Sequence, residues 1–234
     1  MSEHYTLLIT VLPSIVIISF FVLSDKFREP PSLIFKVFFL GILICFPAGY
    51  LNGLMYDMFY DGTLMSEDLT SSFLGPAWTE ELLKFIILYK FIAKDKHFNE
   101  PMDGIVYGVV ASLGFATYEN YDYVFRLADE YGLARIEMAE IRAWSAIPMH
   151  GLNGCIMGFF FGKFAFKGER KYLAYSLIMP YLFHGAYNFL VPYGNYFYLV
   201  LIIMLVLAYK LHEDLKISQK PKRKETEKKT SFFS

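Results

Sequence analysis

The stretch Trp78-Thr79-Glu80-Glu81-Leu82-Leu83-Lys84 lies inside an otherwise apolar segment, residues 73–93, that is long enough to cross a lipid bilayer. A carboxylate at the middle of a membrane helix costs about 2.5–3.5 kcal/mol, so adjacent carboxylates persist only where they face a protein interior or a hydrated cavity. Lys84 follows Glu80 by four residues and Glu81 by three, so an ion pair can form along one helical face. The stretch therefore predicts a helical membrane protein with a functional site. The simpler alternative is a structural ion pair that fixes helix packing.

The rest of the chain is built from similar apolar runs. Of its 234 residues, 55% are hydrophobic and 19% are aromatic. The apolar residues form runs of about twenty that alternate with short charged segments. This pattern predicts an all-α, polytopic bundle of about seven transmembrane helices, with lipid and no nucleic acid as its partner. The predicted spans are residues 5–24, 33–53, 72–93, 103–124, 144–165, 172–191 and 195–212.

Basic residues predict the orientation of these spans. Lys and Arg occur in the connecting segments 25–32, 94–101 and 166–171 and in the C-terminal tail, and they are absent from 54–71 and 192–194. Because positively charged loops stay on the cytoplasmic side, this alternation predicts an outside N-terminus and a cytoplasmic C-terminus. We expect one membrane domain, residues 1–212, with a motif core at 70–192. A lysine-rich, disordered tail is expected at 213–234.

Helical rise places the strongly polar residues of four spans at one depth. At 1.5 Å per residue, each lies about 5–12 Å below the outer surface of the bilayer in the predicted orientation. They are Glu80 and Glu81 in the third span, Glu119 in the fourth, His150 in the fifth, and His184 and Asn188, spaced i+4, in the sixth. Each of them singly could serve helix packing or anchor a helix end. Residues with unrelated structural roles would not be expected to share a depth, so the convergence predicts one site.

Small residues predict which helices pack closely. One small-xxx-small ridge lies in the fifth predicted span and another begins in the fourth; they consist of Gly154, Gly158 and Gly162, and of Gly104 and Gly108. Asp103 is placed to cap the helix that carries the second ridge. We therefore expect both helices to make close contacts.

The segment 125–143 has a different composition from the spans around it. It mixes acidic and basic residues with Leu127, Leu133, Ile136 and Ile141, a pattern typical of an interfacial amphipathic helix. Such a helix could shield the site or admit a substrate. The alternative is a solvated connector.

The predicted site has the groups needed for amide hydrolysis by water. A carboxylate with a histidine can hold and deprotonate a water molecule, and a histidine with an asparagine can donate hydrogen bonds to a developing oxyanion. No serine or cysteine lies beside these groups as a nucleophile. Cys45 and Cys155 lie in apolar runs, where we expect free thiols. Zinc is an alternative, because Glu and His are zinc ligands, although the HExxH motif is absent.

Four motifs in order resemble those of the PrsW-type intramembrane proteases. They are Glu80-Glu81-x-x-Lys84, Phe115-x-x-x-Glu119-Asn120, His150 with its trailing glycines, and His184-x-x-x-Asn188, with Pro101-Met102-Asp103-Gly104 between the first two. The resemblance covers residues 70–192. This family is similar to the CAAX-prenyl endopeptidases and the bacteriocin-immunity-type membrane proteases. In those relatives the second motif ends in histidine, where this chain has Glu119.

The resemblance implies a glutamic-type protease that uses water as the nucleophile and requires no metal or other cofactor. Glu80 would then be the general base, with Glu81 and Lys84 tuning its charge and Phe115 supporting it. His150 would assist the water, and His184 with Asn188 would form the oxyanion site. The implied substrate is a single-pass membrane protein, such as an anti-sigma factor that is cut first near the extracytoplasmic face during envelope stress.

Two other classes of function fit the same residues. Chains of carboxylates and histidines also relay protons in ion-coupled transporters. Against a transporter, the polar residues stop in the outer third of the predicted spans, and no inverted repeat is evident. A non-catalytic scaffold is the other alternative, in which the same residues serve only to pack the helices.

Overall fold

A computed structural model gives the structure of residues 3–219, and this part of the chain is all-helical, as predicted. Its α-helices are α1 Glu3–Ser24, α2 Pro31–Leu43, α3 Cys45–Phe59, α4 Leu64–Leu69, α5 Trp78–Ile86, α6 Pro101–Asp122, α7 Arg135–Trp144, α8 Ala146–Lys167, α9 Arg170–Leu190 and α10 Phe197–Ser218. Between them lie π-helical segments at Thr70–Ala77, Ile87–Ile92 and Tyr123–Leu127, and 3-10 turns at Ala128–Tyr131 and Val191–Tyr193.

Helices α6 and α8 form the centre of the bundle, and their backbones touch. A Cβ atom built on Gly158 would lie 2.0 Å from the carbonyl oxygen of Gly104, and one on Gly108 would lie 2.4 Å from that of Gly154. Only glycine allows this approach, as in the small-xxx-small contacts of membrane helices. The predicted close contact of the two ridges is confirmed, and each ridge packs against the other.

The third predicted span is a succession of α and π turns. Its π-helical part, Thr70–Ala77, contains Pro76, which has no N–H group to donate to a regular α-turn. Helix α5 follows directly and carries the acidic pair. The π-helical part also packs against α9, where the Phe73 ring lies 2.1 Å from the place a Cβ on Gly185 would occupy. This contact holds α5 and α9 side by side.

Two stretches of the described residues, Glu3–Ser24 and Pro31–Phe59, are long and apolar enough to cross a membrane. They coincide with the first two predicted spans, although the second stretch reaches six residues beyond residue 53. The remaining five predicted spans also coincide with helical segments. The count of seven crossings and the orientation of the termini stay predictions.

The C-terminal helix is longer than predicted. Helix α10 continues to Ser218, so residues 213–218, which were expected to belong to the tail, are helical. Gln219 follows the helix, and residues 220–234 of the predicted tail lie outside the described part of the chain. This extension of α10 is stabilised because Leu215 is buried against the hydrophobic core.

The start of α6 also differs from the expectation. The N-cap residue is Glu100, and Asp103 lies three residues later, in the first turn. The Asp103 carboxylate still satisfies the helix end, because its Oδ2 accepts hydrogen bonds from the backbone N–H groups of Asn99 at 2.7 Å and Glu100 at 2.9 Å. Asp103 is fully buried there.

Candidate active site

Helix α5 brings three charged side chains into the interior. Glu80, Glu81 and Lys84 are all buried. The Lys84 Nζ atom lies 2.9 Å from Glu81 Oε1 and 3.4 Å from Glu80 Oε2, so the ion pair predicted from the i+3 and i+4 spacing is present. The ammonium group also lies 4.2 Å from the centre of the Phe115 ring, within the range of a cation–π contact. Phe115, on α6, therefore touches the group that its motif was expected to support.

Two histidines connect this ion pair to other helices. His150, on α8, lies with Nδ1 3.0 Å from Lys84 Nζ and with Nε2 3.0 Å from Glu119 Oε2 on α6. His184, on α9, lies with Nδ1 2.8 Å from Glu81 Oε1. The two imidazole rings are perpendicular, with their centres 5.1 Å apart. Side chains from α5, α6, α8 and α9 thus form one continuous polar network.

Arg142, on α7, completes the network, and sequence reasoning did not single it out. Its Nη2 donates to Glu119 Oε2 at 2.7 Å and its Nε donates to Asn120 Oδ1 at 2.8 Å. The guanidinium lies 3.9 Å from the centre of the Tyr123 ring. In the sequence Arg142 is one of several charges in a mixed segment, and no motif or spacing distinguishes it from Arg126 or Arg135.

The segment 125–143 contains most of helix α7, which contacts the network through Arg142. Helix α7 buries Met138, Ala139 and Ala143 and leaves Ile141 exposed. It packs on α1 and α8, and Arg142 reaches from it to Glu119. The amphipathic helix predicted for this segment is therefore present, and the connector alternative does not describe it.

A cavity of about 530 Å³ opens beside the network. Glu80, Glu119, His150, His184 and Asn188 lie on its wall. Glu81 and Lys84 are fully buried and are not part of that wall. The cavity therefore brings together five of the six predicted catalytic residues, including the half-buried Asn188.

Helix α3 forms the facing wall of this cavity through Cys45, Ala48, Gly49 and Asn52. Asn52 also accepts a hydrogen bond from the Thr79 hydroxyl, which ties α3 to the start of α5. Both cysteines are free, as predicted. Cys155 is buried away from the cavity and Cys45 lies on its wall.

Three residues of the network could hold a metal ion. Glu80, His150 and His184 each offer one ligand atom, and these atoms lie within 4.8 Å of one another. Each histidine has one nitrogen against a carboxylate, Glu119 for His150 and Glu81 for His184, as is usual for metal-binding histidines. Glu81 Oε2 is buried and has no hydrogen-bond partner among the described residues. Three N and O ligands beside an open cavity fit a catalytic zinc site.

Comparison with known proteins agrees with this geometry. Residues 29–210 match the family model described as PrsW family intramembrane metalloprotease. Protease PrsW of Bacillus subtilis (strain 168) is 37% identical over 207 residues, which are 84% of this chain and 88% of that protein. Protease PrsW of Geobacillus kaustophilus (strain HTA426) is 37% identical over 183 residues, 77% of this chain and 76% of the relative. No solved structure matches the chain.

The family description corrects one prediction. The expectation that no cofactor is required, with zinc only as an alternative, is wrong, because the matching family is one of metalloproteases. The absence of HExxH misled the prediction, since that motif places two histidines on one helix. Here the ligand candidates come from α5, α8 and α9, and their proximity follows from helix packing. The family match covers most of the chain, and the resemblance seen in its motifs is confirmed. The chain belongs to the PrsW family of intramembrane metalloproteases.

Proposed function

We propose that this chain hydrolyses a peptide bond of a membrane-anchored protein at the cavity wall formed by Glu80, Glu119, His150, His184 and Asn188. The observation that supports the proposal most directly is the convergence of these side chains from four helices on one cavity. Family membership favours a protease over the transporter and scaffold alternatives. The predicted orientation and depth support a cut near the extracytoplasmic face.

The ligand set proposed for the metal is Glu80, His150 and His184. A divalent metal held there would supply Lewis acidity towards the scissile carbonyl and the attacking water. Glu119 and Glu81 orient the two imidazoles through the nitrogens that they contact. Since both nitrogens of His184 are then engaged, the donor to the developing oxyanion is the Asn188 side chain, one turn further along α9.

Glu80 is the carboxylate best placed to take the proton of the attacking water. Both Glu80 and Glu119 face the cavity, but Glu119 is held by Arg142 at 2.7 Å, which stabilises its charged form. The contact between Lys84 and Glu80 is looser, at 3.4 Å. A metal bound to one oxygen of Glu80 would lower the basicity of this carboxylate, but it would also make the water more acidic, so the second oxygen would still accept the proton.

Lys84 balances the charge of the acidic pair. It lies against Glu80, Glu81 and His150, where a buried ammonium offsets carboxylates that would otherwise repel each other. Because two of these groups are proposed ligands, the ammonium and a metal cation compete for the same lone pairs. Lys84 therefore sets how strongly the site attracts a metal.

The proposed substrate is a single-pass membrane protein such as an anti-sigma factor. The anti-sigma factor rests on the resemblance of the motifs alone. A single-pass protein rests on the same resemblance, and the cavity, with a volume of about 530 Å³, has room for a short extended segment. We propose a multi-pass location in the cell membrane for the enzyme, consistent with the family.

The test is cleavage of candidate single-pass proteins by the purified chain, with fragments mapped by mass spectrometry and bound metal counted by elemental analysis. We expect wild-type protein to cut and to carry one zinc or other transition-metal ion per chain. Glu80→Gln should abolish cleavage, and Glu81→Gln should lower metal affinity by about 10–100-fold through loss of His184 orientation. Asp214→Asn, at an exposed ion pair with Lys163, is the matched control and should behave like wild type.

Two results would contradict the proposal separately. Full cleavage by folded Glu80→Gln protein would show that the reaction does not take place at this site. Full cleavage by metal-free wild-type protein, with zinc producing no further increase, would remove the metal but leave the protease assignment in place.

A further inference from the structure

A second cluster of buried carboxylates lies at the opposite end of α6 from Glu119. Asp25 follows α1, Glu29 lies in the connection to α2, and Asp103 is in the first turn of α6. One carboxylate oxygen from each lies within 4.8 Å of the other two, and all three side chains are buried. Glu119 lies about 24 Å further along the helix by its rise per residue, so this cluster is separate from the candidate active site.

In Asp103, only one of the two carboxylate oxygens has a hydrogen-bond donor among the described residues. Its Oδ2 is turned to the backbone N–H groups of Asn99 and Glu100. Its Oδ1 is buried and has no hydrogen-bond partner among the described residues, so this is the oxygen left to face the cluster. A buried carboxylate oxygen without a donor is costly unless a positive charge lies against it.

The groups around the cluster orient the carboxylates. Glu29 accepts a hydrogen bond from the Tyr107 hydroxyl, and Asp25 Oδ1 accepts one from the Gln219 side-chain amide at 2.7 Å. Both of these donors are neutral. Within residues 3–219, neither Glu29 nor Asp103 forms an ion pair with a lysine, arginine or histidine. A cation held against these two side chains would supply a counter-charge that the described basic residues do not.

We propose that Asp25, Glu29 and Asp103 bind a hard divalent cation, Mg²⁺ or Ca²⁺, which ties the α1–α2 connection to the start of α6. Both ions prefer oxygen ligands, and carboxylates are their most frequent protein ligands. The three residues offer oxygen atoms alone, which distinguishes the cluster from the site with two histidines. The cation would lie against Asp103 Oδ1 and stabilise the packing of the helix that carries Glu119 at its other end.

The experiment is a calorimetric titration of the purified full chain in detergent with Mg²⁺ and, separately, with Ca²⁺, together with its thermal unfolding at each cation concentration. We expect one saturable site for each chain and an unfolding temperature that rises with occupancy. Glu29→Gln and Asp103→Asn should each weaken binding at least tenfold, because each removes a charge and keeps the shape of the side chain. Asp214→Asn should not change the affinity.

The Glu80→Gln variant distinguishes binding at this cluster from binding at the active site. It should keep wild-type affinity for both cations. The proposal is overturned if wild-type protein binds neither cation at millimolar concentration. It is also overturned if Glu29→Gln binds as well as wild type, or if Glu80→Gln is the variant that loses binding. Should Asp103→Asn fail to fold, Glu29→Gln decides, since glutamine can still accept the hydrogen bond from Tyr107.

Discussion

Replacing Gly158 by alanine should disable the site without altering any of its polar side chains. The new Cβ would lie 2.0 Å from the Gly104 carbonyl oxygen, short of the ordinary contact distance of 3.4 Å by about 1.4 Å. The obstacle is backbone, so no side-chain rotation can relieve it, and α8 must move away from α6. Overpacking of this kind costs about 1–3 kcal/mol of unfolding free energy.

The same movement should change the distance between His150 and Glu119. His150 is on α8, about 12 Å from Gly158 along the helix axis, and its Nε2 contacts Glu119 on α6. A displacement of about 1 Å between catalytic groups can cost about 100-fold in rate. We therefore expect Gly158→Ala to cleave a single-pass substrate about 100-fold more slowly than wild type, and to unfold at a lower temperature.

The measurements are the cleavage rate and the thermal unfolding of purified protein. Gly53→Ala is the matched control: Gly53 is inside α3, and a Cβ there would meet no atom within 4 Å. That substitution should leave the rate unchanged and stabilise the helix by about 0.5–1 kcal/mol. If Gly158→Ala unfolds and cleaves like wild type, the contact between α6 and α8 does not position the site.

Two further predictions concern the cavity and helix α7. Gly49→Phe should fill the cavity and lower kcat/KM by at least about tenfold, or about 1.4 kcal/mol. Gly53→Phe, on the same helix but off the cavity wall, is the control and should leave kcat/KM unchanged. If the two variants have equal kinetics, the substrate does not bind in this cavity. Arg142→Ala should cost about 3 kcal/mol by breaking the contact with Glu119 and should expose α7 to limited proteolysis. The control is Arg126→Ala, which breaks an exposed ion pair with Asp122. If α7 is as resistant to protease in Arg142→Ala as in wild type, Arg142 does not hold this helix in place.

Several features of the site follow from spacing along single helices. The contacts of Lys84 with Glu80 and Glu81, and the glycine ridges of α6 and α8, could be predicted because the turn of an α-helix brings i+3 and i+4 neighbours together. The rise per residue also predicted a shared depth for residues on different helices, and in the structure five of these residues line one cavity. The all-helical fold follows from apolar runs of membrane length, although the number of crossings stays a prediction.

Contacts between helices could not be predicted from such spacing, because they depend on how each helix is rotated about its axis and where it crosses its neighbours. Only the tertiary structure places His184 against Glu81 and His150 against Glu119. It also brings Glu80 close to both imidazoles and places Arg142 of α7 against Glu119. The metal prediction failed for this reason, since the ligand candidates are distant in sequence.

The cluster of Asp25, Glu29 and Asp103 depends on tertiary structure in the same way. Its members lie up to 78 residues apart, the separation of Asp25 and Asp103, and no motif joins them. The sequence by itself determined which residues carry charge and which helices carry them. Tertiary packing decided which charges meet, because the cost of burying an uncompensated charge depends on the groups that surround it after the helices have packed.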